Sequence, residues 1–308
     1  MQGKKVTIFG GSGLVGRRIV QRLARAGAQI RVGVRDVDQA LFLRTMGVVG
    51  QVTPIPVNIC NYDSVRAACE ETDIVINLVG ILFEKGSQRF DRIHLRGAEN
   101  VAKACALHKV HRLIHMSALG ANLHSHSRYA KTKGQGEEAV KKIFPDVTIL
   151  RPSVIFGPED RFFNYFAQIA VLSPFLPLIG GGKTKFQPVY VGDVADAVIA
   201  ILKNTETTGK TYELGGPTVY TLTQIMEFIT TTIQRKKIFV SLPFFVSKIL
   251  GYFLQILPHP PLTADQVELM KKDSVVSNKA WTFKDLGIQP KDVQAIVPEY
   301  LKSYRPHF

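Results

Sequence analysis

Three cysteines, one tryptophan and 25 acidic residues against 39 basic ones set the first limits on this 308-residue chain. Cys60, Cys69 and Cys105 give neither a paired disulfide framework nor the close spacing of a zinc site, so free thiols in a reducing compartment are expected. His108 with His111 and His124 with His126 lack a cysteine or carboxylate at ligand spacing, and no metal is expected. The longest apolar run, Leu242 to Leu257, is shorter than the about 20 residues a membrane span needs. Repeats and low-complexity tracts are missing too. The first strand pattern begins so early that a signal or transit peptide has no room unless one has been removed, which makes the expected setting cytoplasmic or matrix-like.

The shortage of acid leaves a net charge of +14. That excess draws a protein to anionic lipid, nucleic acid or acidic protein surfaces. Its basic clusters are short (Arg17-Arg18, Lys141-Lys142, Arg235-Lys236-Lys237, Lys271-Lys272) and come with no nucleic-acid motif, so nucleic acid is not an expected partner.

Strand and helix patterns alternate through the first half, with strands near 5–9, 29–34, 52–57, 73–79, 112–117 and 147–151. Helices are expected to start near Leu14, Val37, Tyr62, Arg96 and Lys131, with Asn61 or Asp63 capping the third. This alternation predicts an α/β protein built on a doubly wound parallel sheet with a smaller C-terminal lobe. After Arg151-Pro152 the pattern changes to phenylalanine-rich helix and proline-rich turns, and Pro188 to Ala197 reads as a strand and helix returning to the sheet. The expected domains are therefore 1–151 plus 188–216, and 152–187 plus 217–308. Gly180-Gly181-Gly182 lacks the spacing of a phosphate loop and reads as a turn.

The most informative segment is Val6 to Arg17, where an apolar strand meets glycines three apart and runs straight into a helix. Gly10 permits the tight turn, Gly13 lets backbone N–H groups approach a pyrophosphate, and Gly16 lets the helix pack on the strand. Leu14 and Val15 then belong to a helix N-terminus that faces the anion. The second strand ends Val34-Arg35-Asp36, where an acid would take a ribose 2′-hydroxyl and an arginine a 2′-phosphate. Arg35 at the tip, with Arg17 converging on it, favours NADP(H) over NAD(H), while Asp36 keeps NAD(H) as the alternative. Asn58 and Ile59 follow the third strand beside an adenine edge, and Val79 and Gly80 follow the fourth beside the nicotinamide ribose; packing explains Ile59 and Val79 equally well.

Tyr129 and Lys133 stand four residues apart at the start of a helix, with Ser117 after the fifth strand. A lysine one turn away lowers a tyrosine's pKa, a serine orients a carbonyl, and the tyrosine moves the proton, so the three form a candidate catalytic set.

Together with Arg151-Pro152, Phe156-Gly157-Pro158 and Val191-Gly192-Asp193-Val194-Ala195, these landmarks resemble those of an extended or atypical short-chain dehydrogenase/reductase, with its Rossmann-like fold. Within that group, the run Arg151 to Asn164 and the segments Pro261 to Gln266 and Asp273 to Ser277 resemble the NADPH-binding accessory subunits of respiratory complex I. The resemblance implies a tightly held NADPH, complex I subunits or a ubiquinone-related assembly as partners, and a place peripheral to the inner membrane, where an anionic surface suits the charge. The retained tyrosine and lysine keep open an active NADP-dependent reductase or epimerase on a lipid-like or quinone-like carbonyl. Ser117 lies closer to Tyr129 than the pattern of the extended type expects. The apolar run 242–257 is expected to be buried in the core, embedded in a membrane interface, or covered by a partner.

Overall fold

The computed structural model describes residues 1–258 and 260–306. The chain divides into two units: 1–151 with 194–213 and 280–288, and 152–193 with 214–279 and 289–306. The segment returning to the first unit is thus narrower than 188–216, and the short stretch 280–288, which carries no periodic signal, joins it.

In the first unit the strands β1 (Lys5–Phe9), β2 (Gln29–Val34), β3 (Val52–Pro56), β4 (Ile74–Asn77), β5 (Arg112–Met116) and β6 (Thr148–Pro152) lie in the order 3-2-1-4-5-6, with the strand Thr211–Leu214 outside β6. Neighbouring strands among the six pair in parallel, with Ile8 level with Val32 on one side and Ile76 on the other. Ile149 and Ser153 donate to Lys210 and Leu214, so the outer strand runs the same way. The helices α1 (Leu14–Arg25), α2 (Tyr62–Cys69), α3 (Ala98–Leu107) and α4 (Arg128–Ile143) are the crossovers. One core layer joins Phe9, Val75, Leu113 and Ile149 of the strands to Val65, Val101 and Val140 of α2, α3 and α4. Strands such as β1 and β4 are buried along nearly their whole length because both faces of the sheet are covered, as parallel sheets require. The order reverses between β1 and β4, and at that switch point ligands bind in open α/β sheets.

Several helix starts differ from expectation. The helix near Val37 is a 3-10 turn, Asp38–Met46. A π-helical turn, Asp91–Gly97, precedes α3. Helix α4 begins at Arg128, three residues before Lys131, because Ser127 accepts from the N–H of Ala130 and caps it. Asn61, rather than Asp63, caps α2.

The second unit packs Phe156, Phe163, Phe166, Met226 and Val297 into its own core. Asp160 is buried within it and accepts from the N–H groups of Phe162 and Phe163 at 2.8 and 2.7 Å, opening the helix Phe163–Leu172. The Tyr300 hydroxyl donates to the same carboxylate at 2.6 Å. Burial and that negative neighbour push the phenol's pKa up. Gly180, Gly181 and Gly182 all have positive φ and form the expected turn. The run 242–257 is not a core helix: the helix Phe244–Leu254 buries Ser247 and Gly251, packs Phe244 partly against the core, and leaves Phe245, Ile249, Tyr252 and Phe253 exposed.

Candidate functional site

The turn between β1 and α1 is built as three different glycines. Gly10 has φ +81°, a conformation that L side chains avoid. At Gly16 a Cβ would lie 2.5 Å from the Gly10 oxygen and the Gly11 Cα, so the helix sits directly on the turn. Gly13, the N-cap of α1, has an ordinary φ of −75° and provides no side chain to cap the helix. A Cβ there would meet only the Gly10 oxygen, at 3.4 Å. Nothing in the fold itself demands glycine at 13; the cleared space lies before the uncapped first turn of α1, with Leu14, Val15, Gly16 and their N–H groups. That is the geometry a pyrophosphate needs, so these residues fit a dinucleotide.

Around the end of β2 the charges sort themselves. The Asp36 carboxylate accepts from the backbone N–H of Gln39 at 3.2 Å and from its side-chain amide at 2.8 Å. Arg35 is exposed at the strand tip. The Arg17 guanidinium lies over the Phe42 ring, 5.4 Å from its centroid, and donates to the Ser12 carbonyl at 3.3 Å. Phe42 belongs to the turn that follows β2, which brings Arg17 toward that strand's end.

Beyond β3, the Asn58 side chain accepts from the Cys60 N–H at 3.0 Å, and its carbonyl from the Ser64 hydroxyl at 2.9 Å. Ile59 is buried against Gly97, and its carbonyl accepts from Asn100. Val79 leans on the glycine turn, its Cγ2 at 3.3 Å from where a Gly10 Cβ would stand, and Gly80 is exposed beside it.

Tyr129 and Lys133 occupy the first turns of α4. Lys133 is buried, and its ammonium donates to the Met116 carbonyl at 3.2 Å and lies 3.1 Å from where a Gly80 Cβ would stand. Burial pulls its pKa down to about 8, against the opposing pull of Glu137. Lys133 therefore binds the end of β5 and lies close to Gly80, three residues past the end of β4. Ser117, next to Met116, is buried with no hydrogen-bond partner for its hydroxyl.

Three further polar residues are joined to this set: His94, Asn77 and His115. His94, on the π-helical turn, stands edge-on to Tyr129 and stacks on Phe90. Its Nε2 accepts from the Ile81 N–H at 3.1 Å, so Nδ1 holds the proton that faces Thr132 Oγ1 at 3.1 Å. Burial, with Lys133 and His115 nearby, lowers its pKa to about 2. Asn77 accepts from the Val79 N–H through Oδ1, so its amide donates to His115 Nδ1 at 3.2 Å. His115 Nε2 is then a buried N–H with no partner, and burial, then Lys133, lowers its pKa to about 3. A polar residue ending an apolar strand run was the available clue for Asn77 and His115; His94 had none.

A sheet order of 3-2-1-4-5-6 with a glycine turn at its switch point defines a dinucleotide-binding α/β protein of Rossmann type. The chain belongs to the NAD dependent epimerase/dehydratase family, whose model matches residues 6–215. It is thus a nucleotide-binding protein of the short-chain dehydrogenase/reductase kind, in a family named for a nicotinamide dinucleotide. It is 37% identical to the NADH dehydrogenase (ubiquinone) 1 alpha subcomplex subunit 9 of Arabidopsis thaliana mitochondria, over 99% of this chain and 79% of that protein. It is 36% identical to the mitochondrial NADH-ubiquinone oxidoreductase 40 kDa subunit of Neurospora crassa, over 98% of this chain and 80% of the relative. Among solved structures, the dTDP-glucose 4,6-dehydratase of Streptomyces venezuelae, with NAD bound, has the same fold: TM-score 0.73 at 14% identity, covering 97% of this chain and 96% of that one.

Proposed function

We propose that this protein is an accessory or assembly subunit of a membrane-bound NADH:quinone oxidoreductase of the complex I kind, holding NADP(H) and sitting peripherally at the inner membrane on its cytoplasmic or matrix side. The observation that carries the reading is the match, at 36–37% identity along nearly the whole chain, to two proteins named as subunits of that enzyme. The fold supports a candidate holding site, in which Gly10, Gly13, Leu14, Val15 and Gly16 would take the pyrophosphate, Asn58 and Ile59 would border the adenine, and Val79, Gly80 and Lys133 would border the nicotinamide ribose. The choice of NADP(H) is supported by Asp36, whose carboxylate both amide groups of Gln39 occupy, beside the exposed Arg35 and the ring-seated Arg17. The test is extraction of the purified protein followed by mass analysis, with native electrophoresis of membranes. NADPH in the extract and co-migration with NADH:quinone oxidoreductase activity support the reading; a protein that carries NADH, or migrates apart from that activity, overturns the corresponding half.

A second reading is favoured by one observation, the buried Ser117 hydroxyl without a partner, next to the carbonyl that receives Lys133. A bound nicotinamide dinucleotide supplies hydride transfer. Ser117 would orient a lipid-like or quinone-like carbonyl, Tyr129 would give or take the proton at its oxygen, and Lys133 would favour the tyrosinate by its charge. Tyr129→Phe separates the two readings: loss of an activity in vivo with cofactor retained marks an enzyme, and an unchanged phenotype marks a structural subunit.

A further inference from the structure

The helix Phe244–Leu254 is inside out. It is seated through the partly buried Phe244 at its start and through its smallest residues, Ser247 and Gly251; a Cβ on Gly251 would come within 2.8 Å of the backbone of Thr263 and Ala264. Most of the large side chains face away: Phe245 is 74% exposed, Tyr252 and Phe253 63% each, and Ile256, just beyond the helix, 79%. With Ile249 they fall four, seven, eight and eleven residues after Phe245, which is one stripe along one face. The strand Ile238–Leu242 leads into this helix and adds Ile238, exposed and level with the exposed Phe175.

The charge beside this stripe is predominantly positive. Lys236 and Lys237 precede the strand, Lys248 and Lys271 share the Glu268 carboxylate at 3.3 and 2.9 Å, and Lys272 is exposed next to Lys271. Residues 235 to 279 hold seven lysines and arginines against three acids, within a chain of net charge +14. A second copy of the chain would set these cations against each other. A protein partner would be met by mixed polar and apolar groups, whereas the stripe offers one polar atom, the Tyr252 hydroxyl. A helix of 11 residues is about 16 Å long, and among the described residues no helix is long and apolar enough to cross a membrane.

We propose that the helix Phe244–Leu254 lies flat in the headgroup–acyl boundary of an anionic lipid bilayer, its stripe in the apolar phase and its neighbouring lysines at the phosphates. This rests on the reading of the protein as a peripheral subunit of a membrane enzyme and names the part that meets lipid.

The test is flotation of the purified protein with vesicles of phosphatidylcholine alone or with about one part in three phosphatidylglycerol. The protein is expected to float with the anionic vesicles only, and to be released by salt. Phe245→Glu/Phe253→Glu is expected to weaken binding by about tenfold or more, and Lys236→Glu/Lys237→Glu to weaken it while flattening the salt dependence. Both sets of side chains are largely solvent-facing, so thermal midpoint and dinucleotide binding should hold. Absence of flotation, or flotation unchanged in the phenylalanine variant, overturns the proposal; so does a dimer that this variant dissolves without any lipid binding, which would give the face to a second copy. Co-migration with the oxidoreductase is read separately. A protein that co-migrates but ignores vesicles loses this inference alone, and one that floats but migrates apart loses the proposed function alone.

Discussion

The ring of His94 stands at 90° to the ring of Tyr129, with centroids 5.3 Å apart. A neutral imidazole is required there, because its Nε2 must accept from Ile81 while Nδ1 faces Thr132. Protonation would turn that acceptor into a second donor beside the Lys133 ammonium. His94 is thus a lock that joins the loop after β4, the π-helical turn and α4.

The lock predicts an acid flank of stability. His94 and His115 have folded pKa values lowered from 6.5 to about 2 and about 3. Below 6.5 the unfolded chain therefore binds protons that the folded chain refuses. Stability is fully present above that value and falls with pH by up to about 1.4 kcal/mol per unit for each histidine. Thermal midpoints at pH 7 and pH 5 should differ by several degrees. His115→Gln, which removes one of the two groups, should roughly halve the slope between pH 6.5 and pH 5. An unchanged slope would show that His115 does not stay neutral.

Lys133 predicts the opposite edge of the pH range. Its pKa is lowered from 10.5 to about 8, so between these values the unfolded chain again holds the extra proton and stability rises with pH. Lys133→Met should flatten the stability profile from pH 8 to pH 10 and, if the lysine borders a ribose, weaken dinucleotide binding by about tenfold. Urea titrations at three pH values read the first effect, and cofactor titration the second.

The strands and the glycine turn were legible because their signals are local: short apolar runs, and glycines at fixed offsets before a helix. The elements that escaped depend on distant partners. No spacing within Asp91–Gly97 announces a π-helical turn; it is accompanied by Ile81 and Thr132 holding His94, and by Gly136, where a Cβ would collide with the His94 carbonyl. The run 242–257 is apolar on every side, so periodicity could not say which face is buried. Two small residues, Ser247 and Gly251, decided it. Of the proposed site, the glycines, Arg17, Lys133 and Ser117 were legible, whereas the engagement of Asp36 by Gln39 depends on the 3-10 turn that replaced a predicted α-helix.

Arg17 and Arg35 predict cofactor choice. If the pair binds a 2′-phosphate, Arg35→Ala and Arg17→Ala should each reduce NADPH affinity by about tenfold or more and leave NADH affinity nearly unchanged. Phe42→Ala should act in the same direction through Arg17, whose guanidinium it carries. Asp36→Asn should change little, because its carboxylate is already taken by Gln39. Fluorescence titration with both reduced dinucleotides reads all four variants; equal losses for NADH and NADPH would place the arginines elsewhere on the cofactor.

Gly13 and Gly16 separate folding from binding. At Gly16 an added methyl meets backbone at 2.5 Å, which no rotamer can relieve, so Gly16→Ala should destabilise the protein by about 2 kcal/mol or more. At Gly13 the backbone angles suit alanine and the nearest atom is 3.4 Å away, so Gly13→Ala should leave stability within about 0.5 kcal/mol of the parent. Its methyl would stand where the pyrophosphate must approach the uncapped end of α1, and dinucleotide binding should fall by about a hundredfold or be lost. Thermal unfolding with and without NADPH separates the two: the parent midpoint rises with cofactor, and the Gly13→Ala midpoint starts at the same place and does not move. A Gly13→Ala protein that still gained stability from NADPH would show that the turn between β1 and α1 does not hold the phosphates.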